Sequence, residues 1–165
     1  MTGILGNVGA GVNSGVIGSS TGRFDEWVMN SNISSTGILG NGNVTNVTRH
    51  GLNVTVSSGI WTLPETGMYR IEFFGNTIHN GNSRYPYVTI QVDFCADGSY
   101  TSISKGMFQM ANMGDNSYEQ CFANVSCECT AGDLVKFVYA GSSVTWQSDS
   151  SQRNTYFRFT KINAT

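Results

Sequence analysis

From Phe24 onward the sequence falls into short runs in which apolar and polar residues alternate, separated by clusters of Gly, Ser, Asn and Asp. A period of two places alternate side chains on opposite faces of an extended strand, and it is incompatible with the 3.6-residue period of a helix. Val88, Ile90, Val92 and Phe94 share one such face, and Tyr69, Ile71 and Phe73 share another. Strands are expected over residues 24–29, 52–56, 60–63, 68–74, 88–94, 106–110, 119–129, 133–139, 143–147 and 155–162. The turns Ser57-Ser58-Gly59, Pro64-Glu65-Thr66-Gly67 and Asp97-Gly98 lie between them. About ten antiparallel strands without a helix make an all-β sandwich, each sheet having one face in a core.

Composition narrows the function classes. Gly, Ser, Thr and Asn fill 71 of 165 positions, and charged residues are only 12%. Helix formers such as Lys, Glu, Ala and Leu are scarce, which excludes a bundle or coiled coil. Aromatics at 12% and a net charge of -2 set the chain apart from disordered sequences, which are aromatic-poor and highly charged. A near-neutral chain gains nothing from counterion release, so neither nucleic acid nor an anionic membrane surface is an expected partner. No apolar run reaches the roughly 18 residues of a membrane span. The first twenty residues have no basic flank and Gly interrupts every apolar stretch, so they are not expected to act as a secretory leader.

Residues 1–22 carry Ile4, Leu5, Val8, Val12, Val16 and Ile17 among glycines, with neither strand nor helix periodicity. They are expected to form an extended arm that orders against a partner, followed by a single domain over 23–165. The hexapeptide Thr2-Gly3-Ile4-Leu5-Gly6-Asn7 recurs as Thr36-Gly37-Ile38-Leu39-Gly40-Asn41. Two copies are too few for a repeat architecture. They read as a local duplication or two similar turns, with two equivalent docking segments as the other option.

The residues that carry chemistry are few. Cys121, Cys127 and Cys129 share one strand face with Ala123 and Val125, as buried thiols would. Cys127 and Cys129 are about 7 Å apart along a strand, too far for easy bridging, while a bridge from Cys95 to one of these thiols stays open. The Cys-Glu-Cys spacing is not that of a zinc knuckle, and no metal or cofactor is expected. His50 and His79 lie in Asn- and Gly-rich surroundings and read as surface-loop residues. Asp25 and Glu26 point to opposite faces of a strand and cannot act as an acid/base pair. Asp93 and Asp97 offer too few oxygens for calcium. Six Asn-X-Ser/Thr acceptors, at Asn32, Asn43, Asn46, Asn53, Asn124 and Asn163, read chiefly as hydrogen-bonding strand and turn surface. An enzyme is not expected.

The segment from Gly59 to Phe73 (GIWTLPETGMYRIEF) resembles the signature of the complement globular-head and tumour necrosis factor superfamily. Val88–Gly98, Cys129–Val135 with its Gly-Asp turn, and Thr155–Phe159 as a last strand continue the resemblance in the same order. It spans residues 24–162, although residues 31–58 are longer and more Asn-rich than the family's early strands. The resemblance implies a ten-strand jelly-roll β-sandwich assembled as a homotrimer. Parity supports an interface independently: Phe74, Phe122 and Tyr156 fall opposite the aliphatic faces of their strands, where a monomer would expose them. By the resemblance, Phe122 and Tyr156 match axial aromatic positions, while Phe74 rests on parity alone.

These readings converge on a non-enzymatic virion structural protein of phage type. It would be a trimeric capsid decoration (cement) protein or fibre head, located on the virion and bound to the major capsid protein or another virion protein through the arm. The alternative is a secreted or receptor-recognition module of complement-head type, with Tyr85, Tyr87 or Trp146 exposed to stack on a host-surface glycan.

Overall fold

The structure, a computed structural model, describes residues 23–34, 36–79, 85–109, 117–141, 144–148 and 154–162. Among them are twelve strands and no helix: β1 Arg23–Met29, β2 Gly37–Ile38, β3 Val44–Arg49, β4 Thr55–Ser57, β5 Ile60–Thr62, β6 Gly67–His79, β7 Tyr87–Asp93, β8 Thr101–Met107, β9 Ser117–Cys129, β10 Leu134–Ala140, β11 Val144–Trp146 and β12 Thr155–Ile162. Sheet I runs β11-β6-β12-β1-β3 with β9 paired along β6. Sheet II runs β4-β5-β10-β7-β8 with β2 paired to β10. All these pairings are antiparallel.

Alternation produces the core directly. Tyr69, Ile71 and Phe73 on β6 and Phe157 and Phe159 on β12 point inward from sheet I, meeting Trp61 on β5 and Val135 and Phe137 on β10 of sheet II; all are fully buried. Trp61 joins the two sheets, its ring lying 5.2 Å from Phe137 edge-on, 4.7 Å from Phe157 and 5.9 Å from Phe159.

The sandwich closes on one side where β8 crosses β9. Ser104 Oγ donates to the Asn124 carbonyl at 2.7 Å. At Gly106 a Cβ would overlap the Phe122 carbonyl, with that group's carbon at 2.8 Å and Cys121 Sγ at 3.1 Å. Backbone cannot swing aside as a side-chain tip can, so the Gly106→Ala substitution is expected to destabilise by about 1–3 kcal/mol. A thermal melt unchanged from wild type would contradict this close approach.

Several strands differ from expectation for identifiable reasons. Leu52 and Val54 are buried as the alternation requires, yet the ladder begins only at Thr55. Asn53 sits at φ 62°, and the Val54 N–H donates to Asp25 Oδ2 at 2.8 Å instead of to a strand. No strand is expected from the sequence over residues 44–49, in a stretch that is long and Asn-rich. β3 forms there as a polar strand on β1, with a register shift between Glu26 and Trp27. β8 begins at Thr101 rather than 106, and the connection from β7 is longer than a two-residue turn. The buried Asp93 carboxylate holds that connection, accepting from the N–H groups of Asp97 (3.1 Å) and Gly98 (2.8 Å).

Glu65, in the turn before β6, ties three segments together. It accepts from both Arg23 guanidinium nitrogens and from Lys161 Nζ, the last at 2.7 Å. Its hydrogen bond from Arg23, then that from Lys161, holds the carboxyl near pKa 2 instead of 4.5. A depressed carboxylate stabilises the fold above its ordinary pKa, and that stability is lost as pH falls towards the folded value. Both Arg23 and Glu65 are more than a third exposed, which limits the contribution to about 1 kcal/mol. The Glu65→Gln variant is therefore expected to be slightly less stable at neutral pH and to converge on wild type between about pH 4.5 and 2. A stability gap that persists to pH 2 would contradict the assignment.

Candidate interaction surface

Because β6, β9 and β12 turn one parity inward, the other parity forms a second face. The register places Phe74 directly opposite Phe122 on one side and Tyr156 on the other. The three aromatics nominated from parity thus form one row across three strands. Phe74 and Tyr156 stack with centroids 5.4 Å apart and an interplanar angle of 20°. Phe122 is 48% exposed, and Tyr118, four residues earlier on the same face of β9, is 64% exposed. Cross-strand aromatic contact stabilises a sheet modestly, but an exposed row of this kind belongs to the composition of interface cores.

Beside it runs a polar row, Asn124–Glu72–Arg158–Glu26, in the same register. The Arg158 guanidinium donates through Nε to Glu26 Oε2 at 2.8 Å and makes a second bond to the same oxygen. Glu26 is only 1% exposed. Arg158 also lies 5.3 Å from the Tyr156 ring centre, and burial pushes the Tyr156 phenol pKa up. Arg70 pairs with Glu72 at 3.1 Å. The surface therefore combines a half-covered aromatic row with arginines already held in place. Tyr118 was missed because the strand was expected to start at residue 119. Its shared parity with Phe122 was the available signal.

Of the aromatics proposed to meet a glycan, Trp146 is a correction: it is fully buried, edge-on to Phe73 at 5.2 Å and Tyr139 at 5.4 Å. The inward parity of β11 puts it in the core. Tyr87 is half-buried, with Lys105 Nζ 3.7 Å from its ring centre, whereas Tyr85 is 59% exposed. The arm residues Ile4, Leu5, Val8, Val12, Val16 and Ile17 lie outside the described residues.

A concavity of about 720 Å³ opens at one end of the sandwich between Met68, Phe94, Cys95, Cys129, Asp133 and Ile162. All four cysteines are free. Cys127 and Cys129 keep a strand's backbone separation, but their sulfurs turn towards each other and stand 3.5 Å apart. That hydrogen bond raises the Cys129 pKa and lowers that of Cys127, while burial pushes Cys121 up to about 11. Asp133 accepts from the N–H groups of Thr130 (2.7 Å) and Cys95 (3.0 Å), a backbone-holding role like those of Asp25 and Asp93. Asp25 and Glu26 face opposite sides, opposite Phe159 and Arg158.

His50 is exposed and stacks on Phe24, at 4.5 Å. His79 is a correction to the loop assignment: it ends β6 and is 2% exposed. Asn32 Oδ1 accepts from the Ser148 N–H, Asn43 Nδ2 donates to the Ser31 carbonyl, and Asn46 Oδ1 accepts from Arg49 Nε. Among the described residues no group of three or more His, Cys, Asp or Glu side chains could hold a metal ion, and no helix is long and apolar enough to cross a membrane.

No family model matches the chain, and no curated protein sequence does. Solved structures do. Eiger TNF from S. frugiperda superposes with a TM-score of 0.71 at 8% identity, covering 87% of this chain and 94% of that one. Murine APRIL at pH 8.5 gives 0.64 at 12% identity, covering 86% of this chain and 100% of that one. The pH 5.0 form gives 0.63 at 13%, with coverage of 86% and 100%. At such identities the likeness is one of fold: two antiparallel sheets in a TNF-like jelly-roll sandwich.

Proposed function

We propose that this chain is a non-enzymatic binding module that works as a homotrimer, with the outer face of β9, β6 and β12 turned towards sister subunits. The observation that carries this reading is the continuous Phe122–Phe74–Tyr156 row, in which Phe122 is exposed and Phe74 and Tyr156 are half-buried among the described residues. Aromatic side chains bury about 150–250 Å² each, so covering this row and Tyr118 supplies a compact apolar centre. The ion pairs Arg158–Glu26 and Arg70–Glu72 beside the row are formed before association, which lowers the ordering cost of binding. The TNF-like sandwich and the sequence resemblance over residues 24–162 support the same assembly.

Within that reading, the finer proposal is decoration of a virion, with the Gly-rich N-terminal arm attaching the trimer to a capsid or fibre protein by backbone pairing and small apolar contacts. The polar, low-charge composition supports it. Deleting residues 1–22 should leave the trimer intact and abolish co-sedimentation with particles, and undiminished attachment would refute the arm's role. Receptor recognition is the second reading, favoured by the fold shared with Eiger TNF and APRIL and by exposed Tyr85. It predicts binding to cell surfaces that is lost in the Tyr85→Ala variant.

A further inference from the structure

The second copy of the repeated hexapeptide, Thr36–Asn41, is described in full, and each part of it fits one slot. Thr36 Oγ1 donates to the Gly141 carbonyl at 3.4 Å. Gly37 and Ile38 pair with Tyr139 and Val138 of β10. The Leu39 N–H donates to the Phe137 carbonyl at 2.9 Å, and its side chain is fully buried in the core. Gly40, at φ 80°, lies against Trp61, where a Cβ would sit 2.5 Å from the indole. Gly59 is equally constrained, since a Cβ there would meet Ile38 and the Leu39 carbonyl at 2.8 Å. Two glycines with positive φ, a strand-edge isoleucine and a core leucine are thus required in this order.

The same six residues in the same order stand at Thr2–Asn7. We infer that the β10 slot has two ligands within each chain, and that Thr2–Asn7 is an alternative occupant that replaces Thr36–Asn41 by strand exchange. Because the two segments are identical, Leu5 restores the core contact that Leu39 gives up and Gly6 restores the approach to Trp61. Tether length then decides between them rather than side-chain chemistry. Residues 8–22 connect the first copy to β1, a tether of up to about 50 Å at full extension. Exchange between copies ties subunits together through backbone pairing, the same physics as strand addition at a sheet edge. The inference moves Ile4 and Leu5 from particle attachment to this slot and leaves Val8, Val12, Val16 and Ile17 for the particle. It holds whether or not the chain is a trimer.

Thermal melts of full-length Leu5→Ala, Leu39→Ala and the double variant test it. Leu5→Ala is expected to be neutral alone, and to lower the melting temperature by about 5 °C or more when added to Leu39→Ala, the scale of a buried leucine lost in a domain of this size. A double variant no less stable than Leu39→Ala would overturn the inference. A Leu39→Ala protein that does not fold despite an intact Leu5 counts against rescue, and the milder Leu39→Val, carrying a photo-crosslinking benzoylphenylalanine at position 8, then decides. Cross-links to peptides containing Trp61 or residues 137–141 support exchange, and their absence overturns it. Mixing isotopically light and heavy chains then assigns each cross-link to its own or a neighbouring copy.

Discussion

Replacing Trp61 by alanine is expected to cost about 3–5 kcal/mol, the range for a large aromatic removed from a core, and so to lower the melting temperature by roughly 6–20 °C. Trp61 is fully buried and touches aromatics from both sheets, Phe137 on β10 and Phe157 and Phe159 on β12. It is also the surface against which Gly40 seats the β2 segment. Losing the indole opens a cavity between the sheets and loosens β2 together. The Trp61→Phe variant separates volume from polarity: the indole N–H has no hydrogen-bond partner among the described residues, so phenylalanine should recover much of the loss. Equal losses in the two variants, measured by calorimetry, would show that the N–H matters and that the packing argument is wrong.

If the chain is the proposed homotrimer, Phe122→Asp is expected to convert it to monomer while leaving the sandwich folded. Phe122 is 48% exposed in the single chain, so the monomer tolerates a carboxylate there. In the assembly the same carboxylate would be buried beside Phe74 without a partner, and such a change at an interface centre typically costs about 2–4 kcal/mol or more. The cost recurs in each of three subunits. Ser102→Asp, on exposed β8 of sheet II, is the control and should leave the mass unchanged. A Phe122→Asp protein that remains trimeric would remove this face from the interface; one that unfolds would show that Phe122 serves the fold itself.

The all-β class, the two-sheet core and the aromatic row were legible because a strict two-residue period ties each side chain to a face, and because sheet register follows that period. Val88, Ile90 and Val92, and Tyr69, Ile71 and Phe73, are buried as their parity requires. What was illegible depended on contacts remote in sequence. Trp146 reads from the sequence as an aromatic open to a glycan, yet β11 pairs with the end of β6 and turns it inward. β3 was hidden because its strand depends on β1 as a template rather than on its own apolar content. The meeting of the Cys127 and Cys129 sulfurs is a matter of rotamer, which spacing does not encode. The Glu26–Arg158 pair joins residues 132 positions apart, and only the register of β1 on β12 brings them together.

The most direct test of the trimeric binding-module account is the native mass of the full-length chain at micromolar concentration, by native mass spectrometry or sedimentation equilibrium. The account predicts a single species at three times 17.8 kDa that is lost in Phe122→Asp. A wild-type species at 17.8 kDa, with Phe122 and Tyr118 open to solvent, would contradict it.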